Sequence, residues 1–218
     1  MTTVVCVHGM GGTAATMQPL ADRLTAAGFA VQAITLPGHG SAPEHLHDMV
    51  WDEWRDAIPE ADVIVGQSMG GSLALDAAAR RPDVRAVVAI NALAGDPDAL
   101  DGLEWRRSRG LEWIDDVASA AGEVAYDRLP IGALLAMVEG VLLTDLSAVT
   151  QPVLVITSAD DEVVDPANSA VIAASLGGSV TRLSLHEGGH VASLGPAVDT
   201  IAEAIVRFVH LLPETVQR

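Results

Sequence analysis

Short apolar runs recur along the chain, separated by longer segments of mixed polarity. Runs of this length, bounded by glycine, proline or charged residues, are typical of buried strands. They lie at 4–7, 29–34, 62–65, 84–90, 152–157 and 180–185. The first and third runs lead directly into glycine-rich segments, which indicates sharp turns at those strand ends.

Segments with helical character fill most of the intervals between the strands. Thr13 and Gly28 bound a helix predicted over 14–27, and Pro59 ends one predicted over 51–58. Further helices are predicted at 69–80, 131–141, 166–176 and 196–212. Strands that alternate with helices in this way predict an α/β fold, with a mainly parallel sheet covered by helices on both faces. Ligands of such sheets bind beyond the carboxyl ends of the strands.

The stretch 94–129 departs from this pattern. Charged residues and the tryptophans Trp105 and Trp113 replace the branched aliphatic residues found elsewhere. We expect a partly helical insertion here. The total length of 218 residues suits one domain, so we expect a single domain over 1–218 with 94–129 inserted into it.

Composition and charge narrow the function classes. Half of the residues are hydrophobic, and the formal net charge is −17, which argues against nucleic acid or an anionic membrane as partner. No apolar run reaches the length of a membrane span, and no signal-peptide pattern is present, so we expect a cytoplasmic protein without membrane insertion. The single cysteine, Cys6, lies in a strand pattern and is expected to be a small buried residue. The oligomeric state is left open.

The most informative stretch is the third strand and the glycine-rich turn after it. Gly66-Gln67-Ser68-Met69-Gly70 has the form G-x-S-x-G, with an apolar run before it and a small-residue helix after it. A serine in this context lies at the apex of a strained turn, and its hydroxyl projects from the sheet. The alternative is that Ser68 only caps the helix.

A serine hydroxyl needs a base, and the base needs an orienting carboxylate. In the strand-turn-helix arrangement the chain order is serine, acid, histidine. This order excludes His8, His39, His45 and His47, which precede Ser68. His190 is favoured as the base because it lies on a glycine-rich loop after the last strand. His186 at the strand end is the alternative, and His210 is expected to be structural.

The acid is expected just after the fifth strand. Asp165 is better explained as a helix cap before Pro166, and spacing alone does not decide between Asp160 and Asp161. Tetrahedral intermediates also need hydrogen-bond donors. We expect the backbone amide of Met69 to be one donor and that of Met10, in the loop after the first strand, to be the other.

Two other features have competing interpretations. His45-Leu46-His47-Asp48 could suggest a metal site, but without further spaced ligands we expect an exposed loop. The four tryptophans either line a substrate pocket or only pack the insertion against the body. A phosphate-binding role for 8–12 is disfavoured because the glycine spacing of known phosphate loops is missing.

Taken together, these residues resemble the α/β-hydrolase superfamily, and most closely its small bacterial carboxylesterases and monoacylglycerol lipases. The resemblance is carried by His8-Gly9, by Leu36-Pro37-Gly38-His39-Gly40, by the Ser68 turn and by Gly189-His190-Val191. It also includes the segment 158–166, where the family's acid corresponds to Asp161, although Ser158 and Asp165 depart from the family's glycine and proline. The resemblance implies that the donors are Met10 and Met69 and that 94–129 is a short cap.

The resemblance implies a serine esterase that cleaves carboxylic esters through an acyl-enzyme on Ser68, with His190 and Asp161 and with no cofactor or metal. We expect a small-molecule ester substrate with a short to medium acyl chain, because the insertion is short and highly charged. One alternative is the same fold acting on a thioester, lactone, amide or carbon–carbon bond. Another is a non-catalytic ligand receptor.

Overall fold

The main sheet has six strands, all parallel, in a computed structural model that describes residues 1–117 and 122–212. The spatial order is β2-β1-β3-β4-β7-β8. The strands are β1 (Thr3–Val7), β2 (Ala30–Ile34), β3 (Val63–Gln67), β4 (Ala86–Ile90), β5 (Trp113–Ile114), β6 (Leu129–Pro130), β7 (Val153–Ser158) and β8 (Val180–Leu185). The helices are α1 (Ala14–Ala26), α2 (Trp51–Asp56), α3 (Met69–Arg80), α4 (Pro97–Ser108), α5 (Ile131–Leu143), α6 (Ala167–Ser175) and α7 (Val198–His210). The α/β class and the mainly parallel sheet are therefore confirmed.

The amino-acid composition of each strand matches its position in the sheet. β3 and β4 lie in the centre, and every residue of both is buried, which is why they read as continuous apolar runs. The edge strands β2 and β8 keep several exposed positions and contain polar residues. Their polar side chains are tolerated because one side of each strand meets no neighbour.

Two apolar cores lie on opposite faces of the sheet. Along β1 the side chains alternate, so that Val5 and Val7 face one core while Val4 and Cys6 face the other. Helices α2, α3 and α5 cover the first face, and α1 and α7 cover the second. Burial of this apolar surface is the main stabilising contribution to the fold.

Short side chains hold α3 close to the sheet. Its residues from Met69 to Ala78 are buried, and many of them are alanine or glycine. A Cβ on Gly140 of α5 would lie 2.1 Å from Cγ of Trp51, so this glycine admits the indole of α2. Among the described residues, no helix is long and apolar enough to cross a membrane.

The predicted insertion is partly helical. Its helix α4 starts after Asp96, whose carboxylate accepts hydrogen bonds from the amides of Asp98 and Ala99 at 3.0 and 3.3 Å. Helix α4 has no buried residue, although it contacts α5. The short strands β5 and β6 pair antiparallel before α5 begins. Residues 118–121 of the predicted insertion lie outside the described residues.

We expect Gly66→Ala to destabilise the fold strongly, because its Cβ would lie 2.0 Å from the carbonyl oxygen of Gly70. A loss of about 3 kcal/mol or more lowers Tm by about 10 °C in a chain of this size. Gly102→Ala is the matched control. Its Cβ meets nothing within 4 Å in the described residues, so it should raise stability by up to about 1 kcal/mol. Equal Tm values for the two variants would contradict the close approach of β3 and α3.

Candidate active site

Ser68 lies at the tight turn between β3 and α3. Its backbone has φ 55° and ψ −126°, a conformation that non-glycine residues rarely adopt. The turn is possible because glycines lie two residues before and two residues after Ser68. A Cβ on Gly70, for example, would lie 2.4 Å from the carbonyl oxygen of Val7. The Ser68 amide donates to the carbonyl of Ile90 at 2.8 Å, which ties the turn to β4. The surrounding backbone therefore holds the strained serine in place.

His190 meets Ser68 across the carboxyl edge of the sheet. The Nε2 atom of His190 lies 3.0 Å from Oγ of Ser68. His190 lies in the loop after β8, and its side chain is 17% exposed. The alternative base, His186, is exposed to solvent. The structure therefore brings together the serine and the histidine that the chain order favoured.

Asp161 lies against the other side of the His190 ring. Its two carboxylate oxygens are 3.1 and 2.9 Å from Nδ1 of His190. Oδ1 also accepts hydrogen bonds from the amides of Val163 and Val164, both at 2.9 Å. Burial alone would raise the pKa of this carboxyl, but the hydrogen bonds from His190 and from these two amides outweigh burial and lower the pKa.

A carboxylate at this position determines the tautomer of the imidazole. Ionised Asp161 can only accept hydrogen bonds, so Nδ1 of His190 must carry a proton. The neutral ring then has its lone pair on Nε2, directed at the Ser68 hydroxyl. This arrangement can accept the serine proton and stabilise the resulting imidazolium.

Asp160 makes different hydrogen bonds from those of Asp161. Its carboxylate accepts from the amides of Gly188 at 3.0 Å and Gly189 at 2.9 Å. These bonds, first that from Gly189 and then that from Gly188, lower the pKa of Asp160. Asp160 therefore anchors the backbone of the loop that carries His190, and only Asp161 contacts the imidazole.

Asn91 is a site residue that the sequence analysis missed. It is 3% exposed, has φ 46°, and follows β4 directly. Its side-chain amide donates to the carbonyls of Gly189 at 3.0 Å and His190 at 2.9 Å, and its oxygen accepts from the Ser158 amide at 2.8 Å. Asn91 thus joins the ends of β4 and β7 to the histidine loop. Its place at the carboxyl end of a central strand was the available signal.

The loop after β1 lies directly beside Ser68. A Cβ on Gly9 would lie 3.0 Å from Cβ and 3.4 Å from Oγ of Ser68. The Gly9 carbonyl and the Met10 amide belong to one planar peptide, so fixing the carbonyl also fixes the direction of the N–H. The amide of Gly12 donates to this carbonyl at 3.2 Å. Met69 is the first residue of α3, where the helix itself provides no acceptor for an amide.

His8 fixes the same Gly9 carbonyl from a buried position. Its Nδ1–H donates to the carbonyl at 2.7 Å, and its Nε2 accepts from the Leu36 amide at 3.0 Å. The ring must be neutral for Nε2 to accept this bond. Burial, assisted by the nearby His39, lowers the pKa of His8 from 6.5 to about 3, although the bond to Gly9 opposes this. Burial likewise lowers the pKa of His39 to about 4, although the hydrogen bonds between its ring and the backbone of Pro37 and Leu36 oppose this; at Pro37 the Nδ1–H donates to the carbonyl at 3.0 Å.

A pocket of about 610 Å³ opens beside Ser68 and His190. Apolar side chains of the body and of the insertion make up most of its wall. They include Met10, Leu93, Val117, Tyr126, Leu129, Leu134, Met137, Val163, Val164 and Val191. Three carboxylates also line it, those of Glu123, Asp160 and Glu162, and no arginine is among the described lining residues.

Neither Met69 nor the tryptophans contribute side chains to the pocket wall. The side chain of Met69 is fully buried and does not line the pocket, although Met10 does. The tryptophans do not line it either: Trp51 and Trp54 belong to α2 and are buried in the core, and Trp105 is largely exposed. Trp51 instead donates its Nε1–H to buried Asp76 at 2.9 Å.

The His45–Asp48 segment is not organised as a metal site. The ring of His45 contacts the hydroxyl of Ser41 at 2.8 Å, and the ring of His47 packs edge-on against Trp113. Within 1–117 and 122–212, no group of three or more histidine, cysteine or acidic side chains could hold a metal ion.

Comparison with known proteins identifies a family and several relatives. A model of the alpha/beta hydrolase family matches residues 4–204. A thermostable monoacylglycerol lipase of Bacillus sp. (strain H-257) is 29% identical, over 94% of this chain and 89% of that protein. A pimeloyl-[acyl-carrier protein] methyl ester esterase of Xanthomonas campestris pv. campestris (strain B100) is 30% identical, over 96% of each.

The solved structures include a close match. One from a study of the metagenome-derived lipolytic enzymes LipS and LipT superposes with a TM-score of 0.85 at 27% identity. The match covers 95% of this chain and 93% of that one. These relatives are thus ester hydrolases, and the matches cover most of each chain.

The buried neutral histidines predict a pH-dependent stability. Below pH 6.5 the unfolded chain takes protons on His8 and His39, while the folded chain does not until about pH 4, so the free energy of unfolding should fall as pH falls. His39→Gln removes one such proton and should reduce this slope by up to about 1.4 kcal/mol per pH unit. Urea unfolding of both proteins at pH 7, 6 and 5 measures how the free energy of unfolding changes with pH.

His186→Gln is the control for this experiment, because it replaces a solvent-exposed imidazole and should leave the slope unchanged. A His39→Gln slope equal to that of the wild type would mean that His39 is not held neutral by burial.

Proposed function

The chain belongs to the alpha/beta hydrolase family, and we propose that it is a serine hydrolase that cleaves carboxylic esters through an acyl-enzyme on Ser68. The observation that carries the proposal is the continuous hydrogen-bonded series from Ser68 through His190 to Asp161, at 3.0 and 2.9 Å, facing one pocket. Relatives that are ester hydrolases, found both by sequence and among the solved structures, support the proposal that the bond cleaved is an ester.

The proposed reaction has two halves. In the first, Nε2 of His190 takes the proton of the Ser68 hydroxyl while Oγ attacks the ester carbonyl. The amides of Met10 and Met69 donate to the oxyanion that forms. The intermediate collapses, the leaving alkoxide takes the proton from His190, and the acyl group remains on Oγ. Water, deprotonated by His190, then attacks the acyl-enzyme and releases the acid.

The shape and lining of the pocket favour the binding of uncharged acyl groups of short to medium length. Its wall is mostly aliphatic, and each buried methylene contributes up to about 0.8 kcal/mol until the pocket is full. We further propose that 94–129 is a cap, since Val117, Tyr126 and Leu129 from this stretch complete the pocket wall. Rates should therefore rise with acyl length and then decline.

The roles of the two aspartates separate in a set of variants assayed with p-nitrophenyl butyrate. Ser68→Ala should lower kcat by several orders of magnitude, and Asp161→Asn by about 10⁴-fold, because the amide favours the wrong imidazole tautomer. Asp160→Asn should cost less than about 10-fold, since its Oδ1 can still accept from Gly188 and Gly189. A larger loss for Asp160→Asn than for Asp161→Asn would contradict the assignment.

The acidic pocket wall predicts discrimination by charge. A p-nitrophenyl ester with a free carboxylate on its acyl chain should show kcat/KM about 5-fold below that of the neutral ester of equal length, since like charges several ångströms apart repel by about 1 kcal/mol. Glu162→Gln should reduce this ratio several-fold. Added salt should also reduce the ratio of the two kcat/KM values, because it screens the repulsion.

Glu104→Gln is the matched control, because it makes the same charge change on exposed α4, outside the pocket. A ratio that responds equally to both variants would show that the net charge of the protein, and not the pocket wall, discriminates.

A further inference from the structure

Tyr126, the only tyrosine of the chain, joins the predicted cap to two loops of the body. Its backbone amide donates to the carbonyl of Gly11 at 3.1 Å. Its hydroxyl donates to the carbonyl of Gly38 at 3.1 Å and accepts from the amide of Ser41 at 3.0 Å. Its ring lies parallel to that of His39, with the ring centroids 6.3 Å apart. One residue thus bonds to the loops that follow both β1 and β2.

Both loops lead to the peptide that carries the Met10 amide. Gly11, which Tyr126 holds directly, is the next residue after Met10. The loop held by the Tyr126 hydroxyl includes Leu36, whose amide donates to His8 at 3.0 Å, and His8 in turn donates to the Gly9 carbonyl at 2.7 Å. The peptide between Gly9 and Met10 is therefore supported on both sides by groups that Tyr126 orders.

We infer that Tyr126 is a positioning residue, which couples the docking of the cap to the orientation of the Met10 amide. The inference rests on the proposed function, in which that amide stabilises the oxyanion. Tyr126 also lines the substrate pocket, so a bound acyl chain packs against the same ring whose hydroxyl holds the loop. Binding of substrate under the cap thereby favours the geometry that the reaction needs.

Arg128 provides an internal comparison on the same segment. It forms an ion pair with Glu44 and lies over the ring of Trp113 at 4.3 Å, so it too ties this segment to the body. Both charged side chains are about half exposed. If mere attachment of the segment mattered, loss of either tether would have the same effect.

The test compares Tyr126→Phe with Arg128→Gln in p-nitrophenyl butyrate hydrolysis. Phenylalanine keeps the ring in the pocket and loses only the hydroxyl, so we expect KM to change less than 2-fold and kcat to fall about 10-fold. Arg128→Gln should leave both within 2-fold of the wild type. Circular dichroism melting of both variants shows that each remains folded under the assay conditions.

A second readout isolates the oxyanion. A trifluoromethyl ketone with a butyl chain forms a bond from its carbonyl carbon to Oγ of Ser68, the serine proton passes to His190, and the carbonyl oxygen becomes an oxyanion. The corresponding methyl ketone binds without this addition. Tyr126→Phe should raise Ki for the trifluoromethyl ketone by about the same 10-fold factor and leave Ki for the methyl ketone unchanged.

Two results would overturn the inference: a Tyr126→Phe kcat equal to that of the wild type, or equal weakening of both ketones, which would mean a general loss of pocket structure. These failures differ from failure of the proposed function, in which the wild type itself shows no Ser68-dependent turnover.

Discussion

The constraint on which the site depends is the close approach of β3 to α3 around Ser68. Three glycines make it possible: at Gly66 and Gly70 a Cβ would collide with backbone, and at Gly71 it would lie 2.8 Å from Cβ of Ala92. The serine between them has a positive φ that few residues tolerate. Because this turn lies at the centre of the parallel sheet, the loops after β1, β4, β7 and β8 all meet at it. The site is the place where these loops are joined by hydrogen bonds.

Those hydrogen bonds form a layer of positioning groups behind the residues proposed to react. Asp160 and Asn91 hold the backbone of the His190 loop, while His8 and Tyr126 support the loop that contains Met10. Burial keeps the imidazole of His8 neutral. A neutral ring is needed because a charged His8 could not accept from the Leu36 amide. Groups of fixed orientation require little rearrangement when charge develops, which is how such sites stabilise transition states.

The sequence predicted the fold well and the site in part. Continuous apolar strands and the G-x-S-x-G turn were sufficient for the α/β class, because burial in a parallel sheet imposes both patterns. Asp160 and Asp161 could not be separated by spacing, since which of two adjacent side chains faces the ring depends on the turn geometry of the loop. The support from Tyr126 was also missed, because a contact between 126 and 11 depends on the path of the insertion, which no local pattern encodes.

Mass spectrometry of a trapped intermediate reveals directly which residue carries the acyl group, which we propose to be Ser68. A p-nitrophenyl alkylphosphonate should react once per chain, and tryptic digestion should place the added mass on the peptide 56–80 between Arg55 and Arg80. That peptide contains two serines, Ser68 and Ser72, so fragmentation must assign the site. We expect modification of Ser68 with Ser72 unmodified. Modification of Ser72, or of a different peptide while Ser68 stays free, would contradict it.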